Sequence, residues 1–176
     1  ITVLSRQPKR TRLTYRVEAV HTFALLKWKR AMKHCRLYLS GGGSLIQDVT
    51  SRRSLWYYLY NIRAAKRRKN KVMMYGCGIG PVIRPRHQRL AAEYMNRYVD
   101  AITLREPDSL QELRRMGVDQ PETCLSADPA LRLPAVDDAL TDSTFLSHGV
   151  PVEGRYICFA LRNWPGVEEK FEAIRA

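Results

Sequence analysis

The chain has 176 residues, 45% of them apolar and 9% aromatic, with a formal net charge of +13. That is enough apolar material for one buried core and part of a second, which excludes a disordered chain, and no run approaches the roughly 18 apolar residues of a membrane span. The charge is uneven: residues 1–71 hold 18 Lys and Arg against two acids, Glu18 and Asp48, while the remainder holds 12 against 15, so one face is expected to meet an anion.

ITVLS (1–5) predicts a strand, and the spacing of Val17, Val20, Phe23, Trp28 and Met32 predicts a helix over 17–33. A second strand, 36–40, stops at Ser40 and three glycines. Gly41, Gly42 and Gly43 can take positive φ and let a ligand approach the main chain. A helix starting near Ser44 would aim its first free N–H groups at the same spot and favour an anion. A tight turn without a ligand would use the same residues.

The stripe Leu55, Tyr58, Leu59, Ile62 and Ala65 predicts a helix over 54–68. Trp56, Tyr57, Tyr58 and Tyr60, followed by Arg63, Lys66, Arg67, Arg68, Lys69 and Lys71, make either a surface for anionic lipid or nucleic acid, or a solvated helix end. VMMYGCGIG (72–80) predicts a strand with a bare glycine end open to a ligand. Its glycine spacing departs from a dinucleotide fingerprint, and Pro81 stands where the helix would begin. A helix over 86–98 and a strand over 100–106 follow. Ser109 and Glu112 then read as an S-x-x-E capping box, with Pro107 upstream and Gly117 as the stop.

CLSADPAL (124–131) closes the first domain, expected over 1–134. Residues 135–154, rich in Asp, Ser, Thr and Pro, are expected to be a linker, and 155–176 the first strand and helix of a second, truncated domain. Strands alternating with helices predict an α/β fold with a parallel, Rossmann-like sheet. Ligands bind such sheets beyond the carboxyl ends of the strands.

Two residues stand out at those ends. Arg105 follows the apolar run Ala101–Leu104 and can grip a phosphate or carboxylate bidentately, or else pair with Glu106 or Asp108. Asp128, in SADPA, can position a hydroxyl, a base or a facing arginine, or else form an Asx-turn before Pro129. His21, His34, His87 and His148 show no clustering, and Cys35, Cys77, Cys124 and Cys158 show neither metal-ligand spacing nor a disulfide framework. With no visible signal peptide, the expected setting is reducing and cytoplasmic.

The series SGGGSLIQDVTSRRSLWYYL (40–59), YGCGIGPV (75–82), DAITLREPDS (100–109), GVDQPE (117–122), SADPALRL (126–133) and ALRNWPG (160–166) resembles the polysaccharide pyruvyl transferase family, most closely its CsaB-type cell-wall branch. The resemblance implies pyruvyl transfer from phosphoenolpyruvate to a sugar of a cell-wall polymer, with N-acetylmannosamine the expected acceptor and a cyclic ketal the product. It implies two Rossmann-like halves in a GT-B-like arrangement, a lipid-linked acceptor at the cytoplasmic membrane face, and a product that anchors surface-layer proteins. No resident cofactor or metal is implied, and no nucleic acid is expected as a partner. By resemblance, Arg105 grips phosphoenolpyruvate, Gly41, Gly42, Gly43 and Ser44 shape the cleft, and Arg52 and Arg53 contact phosphate.

Some features depart from the family pattern. The chain starts after the family's first strand and glycine-rich loop, and it lacks most of the second half, so residues 1–176 alone are expected to be inactive. Cys77 stands where relatives commonly carry a polar residue, and Arg16 where glycine often stands. A GT-B glycosyltransferase using a nucleotide-sugar donor is the main alternative. A basic nucleic-acid-binding module, recognisable by a steep salt dependence, is the other.

Overall fold

The computed structural model describes residues 1–49, 51–155 and 157. The ALRNWPG run and the expected final helix lie outside them. The chain divides into a unit of Ile1–Leu133 and a unit of Pro134–Ala176. Among the described residues no helix is long and apolar enough to cross a membrane.

The first unit is an α/β fold built on parallel strands. It runs β1 (Thr2–Ser5), α1 (Pro8–Tyr15), β2 (Glu18–His21), α2 (Leu25–Lys33), β3 (Leu37–Gly41), β4 (Ser44–Ile46), α3 (Arg52–Lys66), β5 (Lys71–Ile79), α4 (Pro85–Tyr98), β6 (Ala101–Leu104), α5 (Pro107–Met116), β7 (Glu122–Leu125) and a 3-10 turn at Pro129–Arg132. Strands β3, β5, β6 and β7 pair in that order, β4 also pairs with β5, and β1 and β2 pair with each other. All these pairs are parallel. The fold class is the Rossmann-like one that the alternation predicts.

The core explains the helices. Leu55, Leu59 and Ile62 of α3, Met95 of α4 and Leu113 of α5 are fully or almost fully buried with Met74, Ile102 and Leu104 of the sheet. Such apolar stripes at helical spacing are what tie each helix to the sheet, at roughly 1.5–3 kcal/mol for each large side chain buried. Cys77 belongs to the same core, and its burial pushes the thiol up to about 11. A neutral, buried thiol is a packing residue rather than a nucleophile.

Several sequence expectations change. The helix expected over 17–33 splits into β2 and α2, because Glu18–His21 pairs along β1. The helix expected near Ser44 starts only at Arg52, capped by Ser51, whose Oγ accepts from Ser54 N at 3.3 Å. Ser44–Ile46 is instead a strand. Gly41 pairs with Tyr75 and Ser44 with Gly78, so β3 and β4 form one kinked edge along β5. The kink is made by Gly42 and Gly43, at φ +78° and +72°. It is a bend in a strand, not a loop feeding a helix. The reason is tertiary: Leu45 and Ile46 are buried, and Gly80 N donates to Ile46 O at 2.6 Å.

Residues 8–15, for which the sequence pattern predicts no element, form α1 with Pro8 in its first turn. It ends at Arg16, held at φ +51°, ψ +41° with its N–H bonded to Arg12 O. A left-handed conformation costs a non-glycine residue roughly 1–2 kcal/mol, partly offset by the larger chain entropy that glycine would lose on folding. Arg16→Gly is therefore expected to stabilise the chain by about 0.5–1 kcal/mol, read as a rise in thermal midpoint.

In the second unit, residues 138–147 of the stretch expected to be a linker form α6 (Asp138–Ser147). Asp137 caps it, Oδ1 accepting from Ala139 N at 2.8 Å, and none of its residues is buried.

Candidate functional site

The carboxyl ends of β4, β5 and β6 converge on the glycines of β5. Gly76 sits at φ +56°, where a Cβ would run into the ring of Pro129. At Gly78 a Cβ would lie 2.5 Å from Glu106 Oε1 and 2.6 Å from Ser44 Oγ. At Gly80, φ +83°, it would lie 2.6 Å from Glu112 Cγ. The expectation of a bare strand end is corrected: side chains of the protein itself fill the space over each of these glycines. Glycine is required here so that neighbouring elements can close in.

Around Gly78 this closure gathers a polar cluster. Arg105 follows β6, and its Nη1 donates to Asp128 Oδ2 at 3.0 Å while Nε lies 3.7 Å from Glu106 Oε2. Asp128 Oδ1 accepts from Ala130 N at 2.9 Å. That backbone bond, and then the Arg105 guanidinium, hold the Asp128 carboxyl below its usual range. Both sequence alternatives for Asp128 are realised at once, as an Asx-type turn and as the partner of a facing arginine. For Arg105, pairing falls to Asp128 and Glu106; Asp108 takes no part. The Nη2 group makes no hydrogen bond to a described residue.

Ser109 and Glu112 are not a capping box. The N-cap of α5 is Glu106, with Pro107 in the first turn, so Ser109 lies inside the helix. Its Oγ accepts from Ile79 N at 2.7 Å and donates to Glu106 Oε1 at 2.9 Å. Glu112 Oε1 accepts from Val82 N at 2.9 Å. Its carboxylate is held low chiefly by Arg115, whose Nη2 also donates to Val82 O at 2.9 Å. The two residues thus pin the β5 end to α5 across Gly80. Gly117, at φ +78°, does end the helix.

The other candidate residues divide. Ser44 joins the cluster through Gly78. Nothing lies within 4 Å of where Gly42 or Gly43 would carry a Cβ, so the kink leaves open space there. Gly41 lies against Tyr75 O. Arg52 and Arg53 occupy the exposed first turn of α3, make no hydrogen bond or ion pair with a described residue, and do not join the Arg105 cluster. Two cations there oppose the helix dipole, which favours an anion as their neighbour.

Much of the basic run at the end of α3 is already paired. Lys66 Nζ lies 2.6 Å from both Asp100 oxygens, Lys71 Nζ lies 3.2 Å from Oδ1, and Arg63 Nη1 donates to Tyr94 Oη at 3.2 Å. Tyr60 stacks on Trp28, with ring centroids 5.9 Å apart.

One constellation escaped the sequence entirely. The Asp48 side chain is fully buried and accepts from Ile83 N at 2.7 Å, Arg84 N at 3.2 Å and His87 Nδ1 at 2.7 Å, with Arg84 Nη1 at 3.4 Å. Burial alone raises its pKa, but the Ile83 amide, His87 and Arg84 together bring it below the usual value. A carboxylate lodged against the start of α4 is well placed for the helix dipole. The one available signal was negative: Asp48 is one of only two acids in the first 71 residues.

Among the described residues no group of three or more His, Cys, Asp or Glu side chains gathers as metal ligands. At the strand ends the structure gathers the Arg105 guanidinium, the Asp128 and Glu106 carboxylates beside it, and the hydroxyls of Ser44 and Ser109. Residues 1–175 match the family model described as polysaccharide pyruvyl transferase. No curated protein and no solved structure matches the chain.

Proposed function

The chain belongs to the polysaccharide pyruvyl transferase family, and from that premise we propose that it forms part of a site that moves the pyruvyl group of phosphoenolpyruvate onto a sugar of a cell-wall polysaccharide precursor. The acceptor in this reading is an N-acetylmannosaminyl residue, lipid-linked at the cytoplasmic membrane face. The observation that carries the reading is the Arg105–Asp128 pair beside Gly76 and Gly78.

The chemistry sets the demands. Protonation of the methylene carbon makes the adjacent carbon oxocarbenium-like, and one sugar hydroxyl adds there and gives up its proton. The bond from that carbon to the phosphate oxygen breaks, and the second hydroxyl closes the ketal, its proton leaving with inorganic phosphate. Both the carboxylate and the departing phosphate need a fixed cation. Arg105, oriented through Nη1 by Asp128 with Nη2 unengaged, meets that need.

The test is phosphate release from phosphoenolpyruvate, with and without a lipid-linked N-acetylmannosaminyl acceptor, by the full-length protein carrying these residues. Acceptor-dependent release is expected, falling about 100-fold in kcat/KM in Arg105→Ala. Arg105→Lys should recover little of it, because an ammonium cannot reproduce the fork. Release that ignores Arg105 would remove the proposed donor contact. Dependence on a nucleotide sugar instead of phosphoenolpyruvate would replace the reaction.

A further inference from the structure

Residues 1–33 hold nine Lys and Arg and a single acid, Glu18. The fold brings four of these cations around one recess of about 560 Å3, at the carboxyl ends of β1 and β2. Lys9, Arg10 and Arg12 come from α1 and Lys27 from α2, with His21, the last residue of β2, beside them. Ala19, Val20 and Ala24 give the recess an apolar lining, and Glu18 takes no part in it. Small-molecule pockets run from roughly 300 to 1,000 Å3, and parallel sheets bind their ligands at this end of the strands.

Elsewhere in the first unit the fold answers cations with acids. Lys66 and Lys71 meet Asp100, Arg84 meets Asp48, Arg105 meets Asp128 and Arg115 meets Glu112. Lys9, Arg10, Arg12 and Lys27 make no ion pair with any described residue. Four like charges around one recess repel one another, and an anion among them removes that cost. Two of the donors are already fixed. Arg12 Nη1 donates to Ala19 O at 3.1 Å, which ties the guanidinium to β2. His21 Nδ1 accepts from Phe23 N at 3.2 Å, so the ring proton sits on Nε2 and is the donor His21 has to offer.

We propose that this recess is an anion site, separate from the Arg105 cluster, and that its ligand carries a diphosphate group. A single phosphate, at about −2, neutralises only half of the four cations. A diphosphate presents two sets of oxygen acceptors, enough to engage the ammonium groups and the guanidinium forks together. The recess shares no lining residue with the Arg105 cluster, so the failure of either site leaves the other standing. A nucleic acid strand fits less well, because its bases need rings to stack on and His21 is the one aromatic side chain lining the recess.

Calorimetric titration of the full-length protein carrying these residues with inorganic pyrophosphate tests this. One saturable site is expected, binding pyrophosphate roughly 10-fold or more tighter than orthophosphate. Lys9→Ala with Lys27→Ala should weaken binding roughly 100-fold, since each lysine lost removes a charge-assisted contact. Lys29→Ala with Lys33→Ala removes the same charge outside the recess and should change the affinity by less than about 3-fold at physiological salt. Arg105→Ala should leave it unchanged. Lys9→Arg with Lys27→Arg should retain most of it, and thermal melts check that every variant is folded.

Absence of saturation, or orthophosphate binding equally tightly, would overturn the proposal. Equal losses in the two lysine-to-alanine pairs would also overturn it, by showing general attraction to a basic surface. Loss in Arg105→Ala would do the same, by merging the recess with the Arg105 cluster. Displacement then identifies the source of the diphosphate. A nucleoside diphosphate that displaces pyrophosphate upholds the site for a soluble ligand, and displacement by a polyprenyl diphosphate in micelles upholds it for a lipid-linked one.

Discussion

Asp48→Ala is expected to destabilise the first unit by about 3–4 kcal/mol, the cost of breaking a buried charged network by removing one partner. The carboxylate is fully buried and receives two backbone amides, Ile83 N and Arg84 N, together with His87 Nδ1 and Arg84 Nη1. Removing it leaves those donors facing a cavity, and the turn that leads into α4 loses its anchor. For a chain of this size the thermal midpoint should fall by roughly 10 °C.

The pH dependence gives a sharper signature. Asp48 has a folded pKa below the ordinary carboxylate value, because the Ile83 amide, His87 and Arg84 outweigh the effect of burial. A depressed carboxylate contributes stability that is present above its unfolded pKa, about 3.9, and is lost as pH falls through the lower folded value. Denaturant melts at pH 7 and near pH 3 should therefore show the gap between wild type and Asp48→Asn shrinking in acid. A gap that stays constant would mean that Asp48 acts by shape alone.

Gly76→Ala is expected to cost about 3 kcal/mol. Part of that, roughly 1–2 kcal/mol, is the left-handed backbone at φ +56°. The rest is overpacking, because the new methyl enters the ring of Pro129, whose flanking backbone is held by Asp128. Gly42→Ala is the control. It has a comparable positive φ, +78°, but open space around it, so it should cost only the backbone term. Thermal melts of the two variants separate the contributions. In a full-length active protein Gly76→Ala should also lower turnover, since displacing Pro129 moves Asp128 and thus the orientation of Arg105.

Much of the site was visible one residue at a time. A charge at the end of an apolar run singled out Arg105, and an Asp before Pro singled out Asp128. Their 3.0 Å pairing, across 23 residues of sequence, needed the fold. Asp48 and His87 are 39 positions apart, and neither has a local pattern that marks it. Ser109 and Glu112 carry a true local signal for a helix cap, but Pro107 starts the helix two residues earlier and both side chains turn to the backbone at Ile79 and Val82.

What the sequence determined by itself is what short-range physics controls. The apolar stripes of α3 and α4, the stop at Gly117, the strand expected over 72–80 and found at Lys71–Ile79, and the alternation that makes the α/β class follow from side-chain periodicity and from the φ preferences of Gly and Pro. The tertiary structure decided whatever depends on a distant strand or a buried charge. Ser44–Ile46 is extended because β5 lies alongside it, Glu18–His21 because β1 does, and Gly76, Gly78 and Gly80 are glycines because Pro129, Glu106 and Glu112 close over them. Parallel strands pair only through long crossovers, so the partner that fixes each of these residues is far away in sequence and leaves no mark on its neighbours.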